Sequence, residues 1–343
     1  MTMEKRETIS FVIPCYNSTN TVGAVVDEIH AVMRTDLGCY DYEIILVNDG
    51  SPDGTTFDAI REIVSRDDHV KGINLARNFG QPSAVMAGLN KTVGDYVVCG
   101  DDDGQTPFLE LPALMEKIEE GYDVVEARYA VREKRSLFRR IGTGLNEGMA
   151  TWLIAKPKGL ELTTYWVVRR YVADEMIAYR NPYPYLGGLM LRTTQNACNV
   201  DVSHRERLSG KSGYNLKKMI ELWLNGFTNF SVKPLRLMTV FGVIIAILGF
   251  LMGIYYIAHK ILNPSVSGGF SSIMSVMLFM FGVILFFMGL IGEYVGRIYI
   301  SLNRAPQFVI KDYIGEKEKS EAANETTESG IRRVSSVGAE SGK

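Results

Sequence analysis

Three consecutive carboxylates, Asp101, Asp102 and Asp103, directly follow the short apolar segment 96–99. Adjacent carboxylates repel one another, and a divalent cation removes that cost. Oxygen ligands of this kind suit Mg²⁺ or Mn²⁺. Because alternate side chains of an extended chain point to the same side, Asp101 and Asp103 are the natural pair for a metal, and Asp102 faces away. An exposed acidic turn that caps the next helix is the alternative, but the position after a strand favours a metal site.

A second polar segment, Asn48–Thr55, follows another apolar run. Asp49 can accept hydrogen bonds from a base or a ribose, and the neighbouring glycines permit close approach of the backbone to a ligand. Taken alone, the segment predicts a tight turn and no more.

Both polar segments lie at the ends of predicted strands. Strands are indicated at 9–14, 43–47, 70–75 and 96–99, with a further one starting at Val124. Apolar residues at helical spacing lie between them, at 22–33, 57–64 and 111–118. This alternation predicts an α/β fold with a mostly parallel sheet and helices on both faces. Ligands of such sheets bind outside the carboxyl ends of the strands.

Two long uncharged runs, 237–258 and 270–292, follow the predicted sheet. Each is longer than the roughly 20 apolar residues that cross a bilayer, so we predict two transmembrane helices. Lys233 and Arg236 precede the first run, and Arg297 and Arg304 follow the second. This positive charge places the N-terminal domain and the C-terminus in the cytoplasm. The glycine spacing at 282, 289, 292 and 296 is compatible with helix packing in a homo-oligomer.

The chain therefore divides into four predicted parts. These are a cytoplasmic α/β domain at 1–213, an amphipathic interfacial helix at 214–233, the two membrane helices within 234–300, and a cytoplasmic tail at 301–343 that is disordered from about 316. The net charge of −2 gives no support to nucleic acid as a partner. The four scattered cysteines form no zinc or disulfide pattern and are interpreted as reduced packing residues.

Four motifs in this order, Pro14–Asn17, Asn48–Thr55, Leu75–Gln81 and Gly100–Pro107, resemble those of glycosyltransferase family 2. Over about residues 9–310 the chain is similar to the polyprenyl-phosphate glycosyltransferases, the branch related to dolichol-phosphate mannose synthase with two added membrane helices. The resemblance implies a Rossmann-like glycosyltransferase A domain in a bacterial cell membrane. It also implies inverting transfer from a nucleoside-diphosphate sugar, expected to be a UDP-sugar, to a polyprenyl phosphate.

The resemblance also assigns the donor side. The residue matching Asp49 contacts the base, Asp101 lies near the ribose, and Asp103 holds the metal on the diphosphate. The full set of expected nucleotide-sugar-binding residues is Pro14, Tyr16, Asn17, Asp49, Arg77, Asp101 and Asp102.

The acceptor side departs from the family pattern. In the segment 161–170, Glu161 stands where the family has aspartate, Thr163 where it has glycine, and Trp166 where it has arginine. Further along, Gly213 stands where the family has a basic residue, and Lys211 could supply that positive charge. We expect Glu161 and Arg207 to be catalytic together with Asp103. The expected acceptor or phosphate ligands are Arg139, Arg140, Lys211, Ser212 and Tyr214.

Three other functions are compatible with these motifs. A processive polysaccharide synthase would need more membrane helices than two to enclose a polymer, and its Q-x-x-R-W segment is absent here. A transferase for a protein or another lipid is the second. The third is a catalytically impaired scaffold that binds nucleotide, which the acceptor-side departures favour and the intact donor-side carboxylates oppose.

Overall fold

The structure, a computed structural model, describes residues 6–129, 156–203, 205, 233–262, 269–303 and 305–315. The first part alternates strands and helices. Its elements are β1 (Thr8–Cys15), α1 (Val22–Thr35), β2 (Asp41–Asn48), α2 (Thr56–Arg66), β3 (Val70–Leu75), α3 (Gln81–Leu89), β4 (Tyr96–Cys99), a 3₁₀ turn (Phe108–Glu110), α4 (Leu111–Glu119) and β5 (Val124–Tyr129). The predicted strands and the helices at 22–33, 57–64 and 111–118 are all present.

The remaining described elements were not assigned from the sequence, apart from the two apolar helices. They are β6 (Trp166–Arg169), α5 (Arg170–Ala178), α6 (Leu186–Thr193), β7 (Ala197–Val202), α7 (Lys233–Leu262), α8 (Phe270–Leu302) and β8 (Ile310–Ile314). Helix α3, which follows the third motif, was also missed.

The eight strands form one sheet in the order β7-β5-β6-β4-β1-β2-β3-β8. Strands β1, β2, β3 and β4 are mutually parallel, as are β5 and β7. β6 is antiparallel to both of its neighbours, and β8 is antiparallel to β3 at the edge. The predicted α/β architecture with a mostly parallel sheet is confirmed.

Both faces of the sheet are covered, which explains the nearly continuous apolar character of its central strands. On one face, Ile9, Phe11 and Ile13 of β1 belong to the larger hydrophobic cluster, to which α1, α2 and α4 contribute. On the other face, Val12 belongs to a cluster with residues of α3, α5 and α6. The core therefore holds the central strands in place, and the strand ends at their carboxyl edge form the floor of the site.

Strand β8 is the largest difference from the predicted domain division. Residues 310–314 fall in the segment predicted as a tail, yet they pair with β3 as part of the sheet. Just before them, the Gln307 side chain donates a hydrogen bond to the Asn181 carbonyl oxygen at 2.8 Å, and Phe308 packs against the apolar clusters. The chain thus returns to the first domain after α8.

Helices α7 and α8, here called the apolar hairpin, contain both predicted membrane segments. Among the described residues, Phe279–Leu302 is long and apolar enough to cross a bilayer, and Thr239–Tyr255 is a shorter apolar stretch. Large apolar side chains of both helices are exposed, for example Phe250 at 69% and Phe279 at 68%. An apolar C-terminal helical region is therefore present, and the crossing of a membrane by both helices stays a prediction.

Candidate functional site

The predicted donor motifs meet at one edge of the sheet. The parallel strands β1, β2, β3 and β4 end there, at Cys15, Asn48, Leu75 and Cys99. β6 begins at the same edge, because Trp166 pairs with Cys99 in an antiparallel register. The segment that precedes β6, which includes Glu161, is brought to the same edge as the carboxylates after β4.

Asp101 is held by two neutral donors. Gln81 at the start of α3 donates its side-chain Nε2 hydrogen to Asp101 Oδ1 at 2.7 Å. The hydroxyl of Thr164 donates to Asp101 Oδ2 at 2.5 Å. The backbone N–H of Asp101 donates to Thr106 Oγ1 at 2.9 Å, which fixes the turn after β4. The carboxylate is thus oriented by α3 on one side and by the segment before β6 on the other.

Asp102 points away from this position, as the alternation of side chains predicts. Its carboxylate accepts hydrogen bonds from the backbone N–H of Tyr16, at 3.1 Å, and from the hydroxyl of Ser18. Burial raises the pKa of Asp102 to about 6, and the charges of Asp101 and Asp103 add to the rise, while the two hydrogen bonds lower it. Asp102 therefore joins the turn after β4 to the turn after β1.

Asp103 has the chemistry expected of a metal ligand. Its Oδ1 accepts a hydrogen bond from the backbone N–H of Gln105 at 3.0 Å. No cluster of three or more His, Cys, Asp or Glu side chains suited to a metal occurs in the described ranges. Mg²⁺ is commonly held by only one or two carboxylates, and water and substrate phosphates complete its shell. A site with Asp103 and Asp101 as protein ligands fits that pattern.

Asp49 is buried, with 3% of the residue exposed. Its Oδ1 accepts the backbone N–H of Phe79 at 2.7 Å, and its Oδ2 accepts that of Gly80 at 2.9 Å. Burial raises the pKa of Asp49 to about 6, although the two hydrogen bonds act in the opposite direction. The carboxylate thus fixes the loop between β3 and α3, and its contact with a base stays a prediction.

Gly50 lies directly against this loop. It has a φ of +58°, and a Cβ there would lie 2.3 Å from the backbone carbonyl carbon of Arg77 and 2.5 Å from the N of Asn78. Gly54 in the same turn has a φ of +69°, but apart from its own chain neighbours no heavy atom of the described residues lies within 4 Å of its Cβ position. Alanine at position 54 therefore introduces only a strained φ, whereas alanine at position 50 also introduces a collision with the backbone of the loop.

We predict that Gly50→Ala lowers the free energy of unfolding by about 2–3 kcal/mol, because the turn and the loop must move apart as well as adopt a strained φ. Gly54→Ala is the matched control and should cost about 1 kcal/mol, from the left-handed backbone alone. Thermal unfolding of the two purified variants tests this. Equal losses of stability in both would contradict the close packing of Gly50 on the loop.

The other predicted nucleotide-side residues surround these turns. Pro14 is buried near the end of β1, whereas the Tyr16 side chain is 48% exposed. Asn17 has a φ of +57°, and its N–H donates to the Ser51 hydroxyl oxygen at 3.0 Å. Arg77 is exposed, and its guanidinium lies 4.5 Å from the centre of the Phe79 ring. All four therefore lie in or beside the turns at the carboxyl edge.

On the acceptor side, Glu161 is half-buried, and its backbone is clamped by Asn199 of β7. The Glu161 N–H donates to Asn199 Oδ1, and Asn199 Nδ2 donates to the Glu161 carbonyl oxygen, both at 2.8 Å. The remaining predictions of this side, namely Arg139, Arg140, Arg207, Lys211, Ser212 and Tyr214, lie outside the described residues, as do the predicted interfacial helix up to residue 232 and the chain from 316 onward.

Glu126 of β5 was missed by the sequence reasoning. It is fully buried, and its Oε2 accepts the N–H of Thr163 at 2.8 Å and the Thr163 hydroxyl at 3.2 Å. Its Oε1 has no hydrogen-bond partner within the described part of the chain. Burial raises the pKa of Glu126 to about 8, despite the lowering effect of the two bonds from Thr163. The buried Glu126 side chain thus anchors the segment that presents Thr164 to Asp101.

Gln81, Thr164 and Ser18 were also missed as supports of the carboxylates. Each lies inside or next to a segment already identified by its motif, so the signal was proximity in sequence to a candidate residue. Tyr129 at the end of β5 is a further neighbour. Burial, followed by the charges of Asp101 and Asp103, raises the pKa of Tyr129 to about 12.

Comparison with known proteins agrees with this geometry. Residues 10–180 match the family described as Glycosyl transferase family 2, and residues 233–298 match the GtrB C-terminal hairpin. A relative from Photorhabdus laumondii, named undecaprenyl-phosphate 4-deoxy-4-formamido-L-arabinose transferase, is 31% identical over 95% of this chain and 100% of its own length.

Two solved structures are similar at a lower level. Mannosyl-3-phosphoglycerate synthase from Rubrobacter xylanophilus aligns with a TM-score of 0.49 and 19% identity over 65% of this chain and 73% of its own. Glucosyl-3-phosphoglycerate synthase from Mycobacterium tuberculosis, in complex with Mn²⁺, UDP and phosphoglyceric acid, aligns with a TM-score of 0.47 and 20% identity. This alignment covers 63% of this chain and 74% of that protein. The family match, the full-length relative and the mostly parallel sheet together show that the chain is a glycosyltransferase and belongs to family 2, with a glycosyltransferase A type of domain.

Proposed function

We propose that this glycosyltransferase moves a sugar from a nucleoside-diphosphate sugar to a polyprenyl phosphate at the cytoplasmic face of a membrane. One observation carries the proposal. Asp101 and Asp103 stand at the carboxyl edge of the sheet, and the chain that passes through the apolar hairpin returns to that same sheet as β8. The donor carboxylates and an apolar anchor thus belong to one connected unit. The name of the full-length relative supports undecaprenyl phosphate as the first acceptor to test.

On the donor side, the negative charge of the leaving group must be stabilised. When the sugar leaves, negative charge develops on the departing nucleoside diphosphate, and a divalent ion stabilises such charge as a Lewis acid by several kcal/mol. Asp103 and Asp101 are the residues proposed to hold Mg²⁺ or Mn²⁺. Gln81 and Thr164 keep Asp101 in a fixed orientation, because each occupies one of its oxygens. A uridine diphosphate donor is the nucleotide to test first.

The acceptor side makes a smaller demand. A phosphate monoester has a second pKa near ~6, so it is already largely ionised at pH 7 and needs no strong base to become a nucleophile. Glu161 is therefore proposed to orient the acceptor. Its backbone is held by Asn199, which suits a positioning role. Arg207 and the basic residues Arg139, Arg140 and Lys211 are proposed to bind phosphate, which arginine does well through paired hydrogen bonds.

The apolar hairpin indicates on which side of the membrane the sheet domain lies. The chain up to β7 and the strand β8 after α8 belong to one sheet, because β7 pairs with β5 and β8 pairs with β3. A hairpin that leaves one domain and returns to it has both ends on one side of a bilayer. Together with Lys233 and Arg236 at the start of α7 and Arg297 near the end of α8, this supports a cytoplasmic domain and two membrane crossings. The phosphate head of the lipid would then emerge beside the carboxyl edge of the sheet.

The test is product formation by the full chain in detergent. Undecaprenyl phosphate is supplied with a panel of UDP-sugars and other nucleotide sugars, with Mn²⁺, with Mg²⁺ or with a chelator. Mass spectrometry should find a glycosyl phosphoryl lipid only with metal present. Nucleotide binding without any turnover across the panel would favour the scaffold alternative, and a polymeric product would favour the processive synthase.

A further inference from the structure

Three side chains stand next to one another across β2, β3 and β8. Asn48 is the register partner of Asn74 across β2 and β3, and Asn74 is the partner of Asp312 across β3 and β8. Residues directly opposite one another in a sheet point their side chains to the same face and interact. The third strand of this set is the one that follows the apolar hairpin, so the row joins the last described strand to the donor turns.

Hydrogen bonds run along this row without a break. Asn74 Nδ2 donates to Asp312 Oδ2 at 2.7 Å, and Asn48 Nδ2 donates to Asn74 Oδ1 at 2.8 Å. The hydroxyl of Ser51 donates to Asn48 Oδ1 at 2.5 Å. The backbone N–H of Asn17 then donates to the Ser51 oxygen at 3.0 Å. This series of hydrogen bonds from Asp312 to Asn17 is here called the relay. It connects β8 with the turns after β2 and after β1, which carry predicted nucleotide-binding residues.

Asp312 fixes the direction of the relay at its β8 end. At the other end, the backbone N–H of Ser51 also donates to Asn48 Oδ1, at 3.3 Å. A carboxylate only accepts hydrogen bonds, whereas the oxygen and nitrogen of an asparagine amide can exchange places by rotation. Asp312 requires the Asn74 amide to turn its nitrogen toward β8 and its oxygen toward Asn48. Asn48 then presents its own oxygen to Ser51, whose proton is used there. The Ser51 oxygen is left as the acceptor for the Asn17 N–H.

A second connection attaches the neighbouring loop to the same strand region. The N–H of Ala76 donates to the Val309 carbonyl oxygen at 2.9 Å, directly before β8. Three and four residues further, the same loop donates its Phe79 and Gly80 N–H groups to Asp49. The loop after β3 is thus fixed at one end by the segment before β8 and at the other by the turn after β2.

We propose that Asp312 is a positioning residue for donor binding. By orienting Asn74, Asn48 and Ser51, it holds the turns after β1 and β2 in the shape that takes a nucleoside diphosphate. The proposal rests on the donor function proposed above. It makes the strand after the apolar hairpin a support of the donor site that acts through Asn74, Asn48 and Ser51.

The test measures UDP affinity by titration calorimetry on the full chain in detergent with Mn²⁺, with GDP, CDP and ADP as alternatives if the wild type prefers one of them. Asp312→Ala should weaken binding roughly tenfold, because an amide loses a charged partner and can reorient. Asp312→Asn should stay within about twofold of wild type, because its amide oxygen can replace the carboxylate as acceptor. Ser51→Ala breaks the far end of the relay and should weaken binding as Asp312→Ala does. The double variant should bind no more weakly than either single one.

Wild-type affinity in Asp312→Ala overturns the proposal, and so does an Asp312→Asn variant as weak as the alanine variant. If Asp312→Ala does not fold, as judged by its thermal unfolding, wild-type affinity in Ser51→Ala overturns it instead. Additive losses in the double variant would also contradict a single relay. A wild-type chain that binds none of the four nucleotides would refute the proposed donor function itself, which keeps the two failures distinct.

Discussion

Asp103→Ala is expected to reduce the rate of sugar transfer roughly 10²–10³-fold, the largest effect on activity predicted for any single substitution here. The reason is the charge on the leaving nucleoside diphosphate, which a divalent ion must offset as it forms. The Asp103 carboxylate accepts the backbone N–H of Gln105 at 3.0 Å, from its own turn. Alanine removes the carboxylate that is proposed to hold this ion.

The measurement is the transfer rate at saturating donor over a range of Mn²⁺ concentrations. Asp103→Asn should retain some activity and require more Mn²⁺ than wild type, because one neutral oxygen remains as a ligand. Asp58→Asn serves as the matched control, since Asp58 is exposed on α2 and pairs with Arg61. Its rate and Mn²⁺ requirement should equal those of wild type. Transfer by Asp103→Ala at the wild-type rate with metal present would refute the metal assignment.

The donor half of the site was accessible from sequence because its parts follow local rules. Strands β1 to β4 alternate with helices, and their polar residues come immediately after each strand, so the parallel arrangement alone brings Asp49 and Asp101 to one edge. The alternation of side chains also predicted that the Asp102 side chain would face away from those of Asp101 and Asp103. In the structure its carboxylate accepts the backbone N–H of Tyr16 in the turn after β1.

The parts that were missed depend on contacts between distant segments. β6 has only four residues and leads directly into α5, so neither strand nor helical periodicity is clear there. β8 pairs with β3 across more than 230 residues, with the apolar hairpin between them, and no local pattern encodes that pairing. The support of Asp101 by Thr164 follows from the β4–β6 register and could not be predicted before β6 was known.

Glu126 illustrates the same limit for a single residue. In Val124–Tyr129 it occupies a position where an exposed strand would place a solvated charge. It is instead fully buried, because helices cover both faces of the sheet and β6 and β7 flank β5. A buried carboxyl without a cationic partner is more stable in its neutral form, and this property has a measurable consequence.

Glu126→Gln is expected to change how the stability of the protein depends on pH. The pKa of Glu126 is raised by burial from its usual 4.5 to about 8 in the folded chain. Between these two values the folded state keeps a proton that the unfolded state has released. The free energy of unfolding of the wild type therefore falls as the pH rises through this window, by about 1.4 kcal/mol per pH unit from this group. Glutamine does not titrate, so the variant lacks this contribution.

The quantity to measure is the difference in melting temperature between Glu126→Gln and wild type at a series of pH values. Relative to wild type, the variant should gain roughly 5–10 °C between pH 5 and pH 8. A constant offset is expected in addition, because glutamine places an amide nitrogen where Glu126 Oε1 has no partner in the described structure. The prediction is therefore tested by the sign of the change in this temperature difference with pH, and not by its constant offset.

Asp49→Asn is the matched control, because burial raises the pKa of Asp49 only to about 6. Its difference curve should rise from about pH 4 and become flat above pH 6, whereas that of Glu126→Gln should continue to rise to about pH 8. A flat difference for Glu126→Gln across the whole range would mean that Glu126 titrates in the folded chain as it does in the unfolded one. The segment from Thr163 to Tyr165 would then be held by a charged carboxylate, and a neutral acid could not be the anchor beneath Thr164 and Asp101.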